Sequence, residues 1–360
     1  MTHRPFRSLL LLVLVALCGS LHALNVKLSG VNYDFRQGPD WDYNRCKGPG
    51  QVTKEVRLLS SVTNRVRVYS LSDCNVRYVL RQAQTLNMTV WLGVWVGNTT
   101  RVFEREFSSL KNLVSDGLVT SELIAGVNVG SEVLFRNDTT PEVLLANMKR
   151  VKDYLTAQGI KAPVSITDTL GELYKHPKVV DAVDVVTLNQ FPFWNKVDID
   201  HAVKDMAAAM QSFANVTKDK PIVITETGWA HSGSDSRAST ASPENAARYM
   251  KEFYLLAEQM GWKYYYFAGF DTPYRKIVEK NNDTVEASFG IFTEKGKMNA
   301  HYEQLTIPST KMVDGPFTPL ATPSPSAATA PSSQATHAKP LTAWWAGLAA
   351  CMALLFAASS

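Results

Sequence analysis

Two stretches, Ile124-Ala-Gly-Val-Asn-Val-Gly-Ser-Glu132 and Pro221-Ile-Val-Ile-Thr-Glu226, decide the fold of this chain. Each is a short apolar run rich in valine and isoleucine, which is the composition of a parallel strand buried on both faces. Each ends in a glutamate, a side chain that is costly to bury without a partner or a task. At about 30 residues per strand–helix unit, the two runs lie three units apart. In an eight-stranded barrel they would be strands four and seven, whose ends face each other across the mouth.

The rest of the chain repeats the same alternation of strand-like and helix-like segments. Amphipathic helical patterns cover 141–154 and 243–260, and the second begins with Ser242 as N-cap and Pro243 at the first helical position. We therefore predict an α/β fold, a single (β/α)8 TIM barrel over residues 24–307. A doubly wound open sheet is the alternative, but no glycine-rich nucleotide loop follows the first run. The strand-like runs cover residues 27–33, 65–69, 89–96, 124–133, 164–167, 183–189, 221–225 and 263–267.

Size and charge are consistent with one large domain. The chain has 360 residues, is 45% hydrophobic and carries a formal net charge of +4. Such a length supports a single barrel with a sizeable core. Because no basic stripe is present, nucleic acid is not expected as a partner. The protein is expected to be a monomer.

Both ends of the chain have compositions that differ from the barrel. Residues 1–23 combine early arginines with a leucine-rich run and are predicted to be a signal peptide; a membrane anchor is the alternative. Residues 308–340 are rich in Pro, Ser, Thr and Ala, which predicts a disordered stalk. The apolar residues 341–360 resemble a GPI-attachment signal, with a membrane span or a dispensable tail as alternatives. A secreted protein, tethered to the cell surface or wall, is expected.

Two cysteines and five sequons fit a secretory route. Cys46 and Cys74 remain once the terminal segments are set aside, and in a secreted protein they are expected to pair, with two free thiols as the alternative. N-glycosylation motifs begin at Asn87, Asn98, Asn137, Asn215 and Asn282.

Polar and aromatic residues follow the predicted strands at the face where barrel enzymes carry their sites. Aromatic rings stack on the apolar faces of sugars, while amides and carboxylates bind hydroxyls, so a cleft for a neutral polysaccharide is predicted. The alternative is that some of these rings only pack under loops. The substrate-binding candidates from this pattern are Asn32, Tyr33, Tyr69, Asn189, Phe193, Trp194, Trp229, Phe270 and Asp271.

Glu132 and Glu226 are the candidate catalytic pair. A retaining glycosidase needs one carboxyl group to protonate the leaving oxygen and another to attack the anomeric carbon, about 5–5.5 Å apart. The acid needs a raised pKa and the nucleophile must stay ionised. The sequence alone does not decide which glutamate is which. No His/Cys spacing suited to a metal occurs, and no cofactor is expected.

Several motifs resemble glycoside hydrolase family 17, the β-1,3-glucanases and related transglycosylases. They are Gly130-Ser-Glu-Val-Leu134, Thr225-Glu-Thr-Gly-Trp229, Arg67-Val-Tyr-Ser-Leu-Ser-Asp-Cys74, Asn189-Gln-Phe-Pro-Phe-Trp194 and Ser288-Phe-Gly-Ile-Phe292. The similarity covers about residues 27–306 and is greatest to the fungal cell-wall branch. It implies a barrel with Glu132 as acid/base and Glu226 as nucleophile, without a metal.

Two further positions enter through this resemblance. The family often has Asn directly before the acid/base glutamate, where this chain has Ser131, so that contact with the sugar is direct, water-bridged or lost. Glu286 matches an acidic position of the family and is expected to bind substrate; a surface carboxylate is the alternative.

The sequence thus favours a secreted retaining glucan endo-1,3-β-glucosidase whose partner is β-1,3-glucan. Transfer of glucanosyl units by the same site is an alternative, since both reactions share the covalent intermediate. A glucan-binding surface protein without turnover and a barrel glycosidase of other specificity are further alternatives.

Overall fold

Eight parallel strands close into a barrel, in which each strand pairs with the next one along the chain and β8 pairs with β1. The structure is a computed structural model that describes residues 24–308. Helices follow the strands along the chain, so the predicted (β/α)8 TIM barrel is confirmed. The strands are β1 (Val31–Asn32), β2 (Arg65–Arg67), β3 (Thr89–Val94), β4 (Ile124–Ser131), β5 (Val164–Thr169), β6 (Val186–Asn189), β7 (Ile222–Thr227) and β8 (Lys263–Tyr266). The helices are α1 (Pro49–Ser60), α2 (Arg77–Thr85), α3 (Thr100–Ser115), α4 (Pro141–Ala157), α5 (Leu170–Lys175), α6 (Pro177–Ala182), α7 (Ala202–Ala214), α8 (Pro243–Met260), α9 (Arg275–Val278) and α10 (Ala300–Glu303).

Capping residues set the limits of the long helices. The side chain of Thr140 accepts a hydrogen bond from the Val143 amide at the start of α4, and Ser242 does the same for Asn245 at the start of α8. Both satisfy an amide that has no partner within its helix. Helix α8 ends at Gly261, whose φ of 65° is the left-handed conformation that glycine adopts without strain. The start of α8 agrees with the sequence prediction.

The lower part of the barrel interior is filled by two aromatic rings. Trp91 on β3 and Tyr265 on β8 pack edge to face, with centroids 5.9 Å apart. Gly126 and Gly30 make room for them, because a Cβ at either position would lie 2.5 Å from the neighbouring ring. The barrel is therefore closed at this level, as packed barrel interiors are.

A second group of interior side chains is polar and hydrogen-bonded. Asn128 on β4 donates through Nδ2 to Thr187 Oγ1 at 2.8 Å, and Thr167 Oγ1 reaches the same oxygen at 2.8 Å. All three residues are buried, so each bond satisfies a group that would otherwise be costly in the interior. These bonds fix strands β4, β5 and β6 relative to one another beneath the open end.

Cys46 and Cys74 form a disulfide with an S–S distance of 2.01 Å, which joins the loops after β1 and β2. All five sequon asparagines are exposed. Within residues 24–308, no helix combines the length and the apolar character needed to cross a membrane. The predicted signal peptide (1–23), almost all of the stalk (308–340) and the C-terminal segment (341–360) lie outside the described residues.

Candidate active site

Glu132 follows β4 directly, in a backbone conformation that an L-residue adopts rarely. Its φ is +56°, and Gly130 two residues earlier has φ +82°. The turn is held from β5: the Glu132 amide donates to the Thr167 carbonyl at 2.9 Å, and the Leu134 amide donates to Asp168 Oδ2 at 2.8 Å. These two hydrogen bonds to β5 hold Glu132 in its strained backbone conformation. Asp168 therefore positions the segment that carries Glu132.

The carboxyl group of Glu132 is buried and receives an amide donor. Asn189 at the end of β6 donates through Nδ2 to Glu132 Oε1 at 2.8 Å. Thr225 Oγ1 donates to Asn189 Oδ1 at 2.9 Å, which fixes the orientation of the amide. Burial and then the negative charge of Glu226 raise the pKa of Glu132, against the opposing effects of Asn189 and two arginines. Glu132 therefore keeps its proton to higher pH than an exposed glutamate does.

Glu226 lies in β7 and has a different partner, a guanidinium. Arg67 on β2, 1% exposed, donates through Nη1 to Glu226 Oε1 at 2.7 Å. The same guanidinium donates through Nη1 to Asn32 Oδ1 at 2.9 Å and through Nη2 to Ser131 Oγ at 3.1 Å. A charge-assisted bond of this kind stabilises a buried carboxylate. Glu226 therefore has the partner that an ionised nucleophile needs.

Tyr69 completes the surroundings of Glu226. Its ring lies under Arg67, with the guanidinium carbon 4.7 Å from the centroid, and its buried hydroxyl lies beside the Glu226 carboxyl group. Burial and the nearby charge of Glu226 raise the pKa of Tyr69 well above its usual value. The tyrosine consequently stays a neutral O–H donor beside the carboxylate.

Two cavities meet at the glutamates. The first lies toward β1, β2 and the loop after β8; the second lies toward the loops after β5 and β6. Glu132, Glu226, Phe267 and Glu286 border both of them. The result is a cleft with the two carboxyl groups at its midpoint, so that a chain could extend to both sides.

Glu286 sits at this junction, in a 3₁₀ turn over Val285–Ala287. Burial raises the pKa of Glu286 to about 7, although Arg275 counteracts the shift. A carboxyl group that borders both cavities can contact a sugar on either side. The substrate-binding role of Glu286 stays a prediction.

Most predicted substrate-binding residues border the cleft, but Asn32 and Tyr33, like Asn189, have their polar groups engaged within the protein. Asn32 donates to the carbonyls of Thr225 and Tyr265, at 2.9 and 3.0 Å, and Tyr33 donates its hydroxyl to Glu55 at 2.7 Å. Because these hydrogen bonds are internal, Asn32 and Tyr33 hold the strands and the cleft wall in place, and their polar groups are not free to bind a sugar. The predicted residues on the first cavity are Asn32, Tyr33, Tyr69, Ser131, Phe270 and Glu286; Asn189, Trp194 and again Glu286 border the second.

Three predicted substrate-binding residues, Phe193, Trp229 and Asp271, border neither cavity. Phe193 and Trp229 are fully buried and pack on each other with centroids 5.2 Å apart. Asp271 accepts hydrogen bonds from the Gly290 amide at 2.8 Å and from Asn299 at 3.1 Å. The prediction is wrong for these residues, because a position after a strand can equally turn a side chain under a loop, where it packs the loops together.

Sequence reasoning missed Arg67 and Asp168, which hold the two glutamates. Arg67 belongs to an alternating Arg65-Val-Arg67 pattern, which usually indicates a strand with one face in water. In a closed barrel the alternate face points into the interior instead, and the partner of Arg67 is far away in sequence. Arg67 and Asp168 are charged residues near the C-terminal ends of β2 and β5, the end of the barrel where the glutamates lie. That position is the signal that could have identified them.

A proton-holding carboxyl group and a guanidinium-paired carboxylate, brought together from β4 and β7, can act on an acetal as acid and nucleophile. With the closed barrel, this site defines a class of protein: a barrel glycoside hydrolase. The chain belongs to the BtgE/BtgC glycoside hydrolase domain family, whose model matches residues 30–290.

Solved structures agree with this assignment and confirm the resemblance to glycoside hydrolase family 17. The family 17 β-1,3-glucanosyltransferase from Rhizomucor miehei is 31% identical, with a TM-score of 0.67 over 76% of this chain and 96% of that chain. An active-site mutant of the same enzyme, in complex with laminaritriose, is also 31% identical with a TM-score of 0.67, covering 80% of this chain and 98% of that chain.

Curated relatives carry names from the same group. The glucan endo-1,3-beta-glucosidase btgC of Emericella nidulans is 28% identical over 262 residues, which is 67% of this chain and 40% of the relative. The chain thus spans about two fifths of the length of the curated relatives it matches.

Proposed function

We propose that this protein is a retaining glycoside hydrolase that cleaves β-1,3-glucan within the chain, a glucan endo-1,3-β-glucosidase. One observation carries the proposal: two buried glutamates with opposite partners, an amide and a guanidinium, meet where two cavities join. Opposite partners separate the roles of acid and nucleophile, and an opening on both sides suits cleavage inside a polymer.

In the first step, Glu226 attacks the anomeric carbon while the C1–O bond to the leaving glucosyl unit breaks. Glu132 transfers its proton to that leaving oxygen, so the product is a free hydroxyl and no alkoxide forms. Asn189 occupies Oε1 of Glu132, which leaves Oε2 to carry the proton. The glycosyl group is then bound as an ester of Glu226.

In the second step, Glu132, now ionised, removes a proton from a water molecule. The water oxygen attacks the anomeric carbon from the face that the leaving group vacated, and the ester bond to Glu226 breaks. Two inversions give net retention of the β configuration. Arg67 stabilises the carboxylate that is released.

The relatives support the substrate class. Those named above are a glucan endo-1,3-beta-glucosidase and a β-1,3-glucanosyltransferase, and the mutant of the latter binds laminaritriose. The cleft is also suited to a neutral glucan, since the aromatic rings of Tyr69, Phe270 and Trp194 border it and can stack on pyranose faces.

Transfer of the glycosyl group to another glucan is the second candidate, favoured by the solved transferase structures and by the second cavity. That cavity places Trp194, Gln190 and Phe135 on one side of the glutamates, where an acceptor sugar could bind in place of water. Transfer needs no other catalytic residue, because a sugar hydroxyl replaces water in the second step.

Incubation of the purified protein with linear β-1,3-glucan and with β-1,4-glucan tests the proposal. We expect release of laminari-oligosaccharides from the first substrate and no activity on the second. Products longer than a defined starting oligosaccharide would identify transfer. Binding to β-1,3-glucan without any new product would refute the enzymatic proposal and favour a glucan-binding surface protein.

We further propose that the protein is secreted as a monomer and held at the cell surface or wall by a GPI anchor. The support is compositional, from the terminal segments 1–23, 308–340 and 341–360, together with a disulfide and exposed sequons. Release from intact cells by a phosphatidylinositol-specific phospholipase C tests this; protein that stays cell-bound after treatment would count against it.

A further inference from the structure

Residues 35–47, between β1 and α1, form a hairpin that we call the β1 hairpin. Its arms pair through backbone hydrogen bonds from the Gln37 amide to the Arg45 carbonyl at 2.6 Å and from the Lys47 amide to the Phe35 carbonyl at 3.0 Å. An isolated two-stranded hairpin is marginally stable in water, so this one depends on what anchors it to the barrel.

The anchors are on the loop after β2. The disulfide from Cys46 to Cys74 ties one arm to that loop. Next to it, Asp73 Oδ1 accepts from Arg45 Nη2 at 3.2 Å, and Asp73 Oδ2 pairs with Arg36 Nη1 on the other arm at 3.4 Å. A covalent bond and a carboxylate shared by both arms thus hold the hairpin in one orientation.

The tip that this scaffold presents is aromatic and open to solvent. Trp41 is 64% exposed and Tyr43 is 97% exposed. Neither ring stacks on another ring or on a cation within residues 24–308. Large exposed aromatic rings are unfavourable in water and commonly mark interaction sites, whereas fixing the backbone beneath them lowers the entropy lost on binding.

The hairpin continues the wall of the first cavity. Asp34, Phe35 and Arg36 border that cavity from the hairpin side, and Asp73 and Cys74 border it from the anchoring loop. Trp41 is five residues beyond Arg36, so it lies within roughly 17 Å of the cavity wall. A polymer that leaves the first cavity on this side would pass near the tip.

The chemistry of the tip favours a carbohydrate over a membrane or an apolar protein surface. The sequence is Pro39-Asp-Trp-Asp-Tyr-Asn44, in which acidic and amide side chains flank the two rings. The three basic side chains of the hairpin, Arg36, Arg45 and Lys47, are each paired with a carboxylate. They therefore do not form the kind of basic cluster that attracts an anionic lipid surface. Rings for pyranose faces next to acceptors for hydroxyl groups are what a neutral glucan requires.

We propose that Trp41 and Tyr43 form a distal binding platform for the same β-1,3-glucan chain that occupies the cleft, beyond the sugars the first cavity can hold. This inference rests on the proposed function and extends it to substrate length. The platform recognises long chains and leaves short ones unaffected, so it contributes to KM for polymer and not to bond cleavage.

The test compares a long soluble β-1,3-glucan with laminaripentaose for wild type and for the Trp41→Ala/Tyr43→Ala variant. We expect KM for the polymer to rise about fivefold, with kcat unchanged, and kinetics on the pentasaccharide to stay at wild-type values. Met260→Ala is the matched control, because Met260 is 52% exposed at the end of α8, far from the cleft.

Two conservative variants separate stacking from a general apolar contact. Trp41→Phe should keep most of the polymer affinity, whereas Trp41→Leu should lose it. The proposal is overturned if the double variant binds polymer like wild type, if both substrates suffer equally, or if leucine serves as well as phenylalanine. Wild-type turnover of the pentasaccharide tests the proposed function separately, so failure of one proposal is distinguishable from failure of the other.

Discussion

The surroundings of Glu132 and of Glu226 differ although the two residues occupy equivalent places at strand ends. Around Glu132 the structure provides an amide from Asn189 and, behind the turn, a second carboxylate, Asp168. Around Glu226 it provides a guanidinium from Arg67 and the hydroxyl-bearing ring of Tyr69. The first environment disfavours charge and the second favours it. The comparison teaches that partners reaching in from other strands, β6 for Glu132 and β2 for Glu226, assign acid and nucleophile in the proposed mechanism, rather than depth in the barrel.

The largest expected effects come from removing each carboxyl group. Glu226→Ala should lower kcat on β-1,3-glucan by at least about 10⁴-fold, because no covalent intermediate can form. Glu132→Ala should lower it by about 10²–10⁴-fold, yet spare the first step for an aryl β-glucoside whose leaving group needs no proton. Steady-state kinetics on both substrates measures the difference, and equal losses on both by Glu132→Ala would break the comparison.

The next effect concerns the cation beside the nucleophile. Arg67→Met removes the charge-assisted hydrogen bond to Glu226 Oε1, an interaction worth about 1.5–3 kcal/mol, so kcat/KM should fall by about 10–100-fold. Arg65→Met, two residues earlier on β2 and exposed, is the control; similar losses in both variants would contradict the assignment.

A smaller effect tests the carboxylate behind Glu132. Burial, and then the charge of Glu132, raise the pKa of Asp168 to about 7, and the two groups disfavour each other's ionisation. Asp168→Asn removes one negative charge, so the pKa of Glu132 should fall and the alkaline limb of the pH–rate profile should move to lower pH. We expect activity to drop by about tenfold, because asparagine keeps only one of the two oxygens that accept from the Leu134, Phe135 and Thr169 amides.

Asp184→Asn provides the control for Asp168→Asn. Asp184 also accepts from a backbone amide of β5, that of Val164 at 3.0 Å, but at the opposite end of the strand. Its replacement should leave the pH profile unchanged. If the alkaline limb stays in place in Asp168→Asn, or moves to higher pH, the two carboxyl groups are not coupled as described.

The smallest effect compares the two cavities. Trp194 borders the second cavity only, so Trp194→Ala should weaken binding of a sugar on that side, by about threefold to tenfold. The ratio of transfer products to hydrolysis products, measured by chromatography of reactions on laminaripentaose, should fall accordingly. Tyr174→Ala, an exposed ring on α5 outside both cavities, should not change this ratio.

Strand positions, and the meeting of Glu132 and Glu226 at the open end of the barrel, could be predicted because both are recorded locally in the sequence. Apolar runs mark buried parallel strands, and a glutamate at the end of such a run is conspicuous. The exact strand ends were less predictable: β1 is only Val31–Asn32, within a predicted run from 27 to 33, because pairing with β2 and β8 ends where the neighbouring strands end.

The partners of the glutamates were not predictable because they depend on long-range pairing. Arg67 and Glu226 are 159 positions apart, and nothing in the local pattern of β2 shows that its alternate face meets β7. The errors at Phe193 and Trp229 have the related cause that aromatic residues pack under loops as readily as they line clefts. The buried ring of Trp229 donates its Nε1–H to the Thr240 carbonyl at 3.0 Å, an internal contact that only the folded loop creates.

The central claim is that the glutamates from β4 and β7 act by double displacement on β-1,3-glucan. Following the anomeric configuration of the first-formed product by proton NMR, before mutarotation, tests it most directly. The account predicts the β-anomer from laminari-oligosaccharide substrates. Initial formation of the α-anomer would show a single displacement and would contradict the role assigned to Glu226.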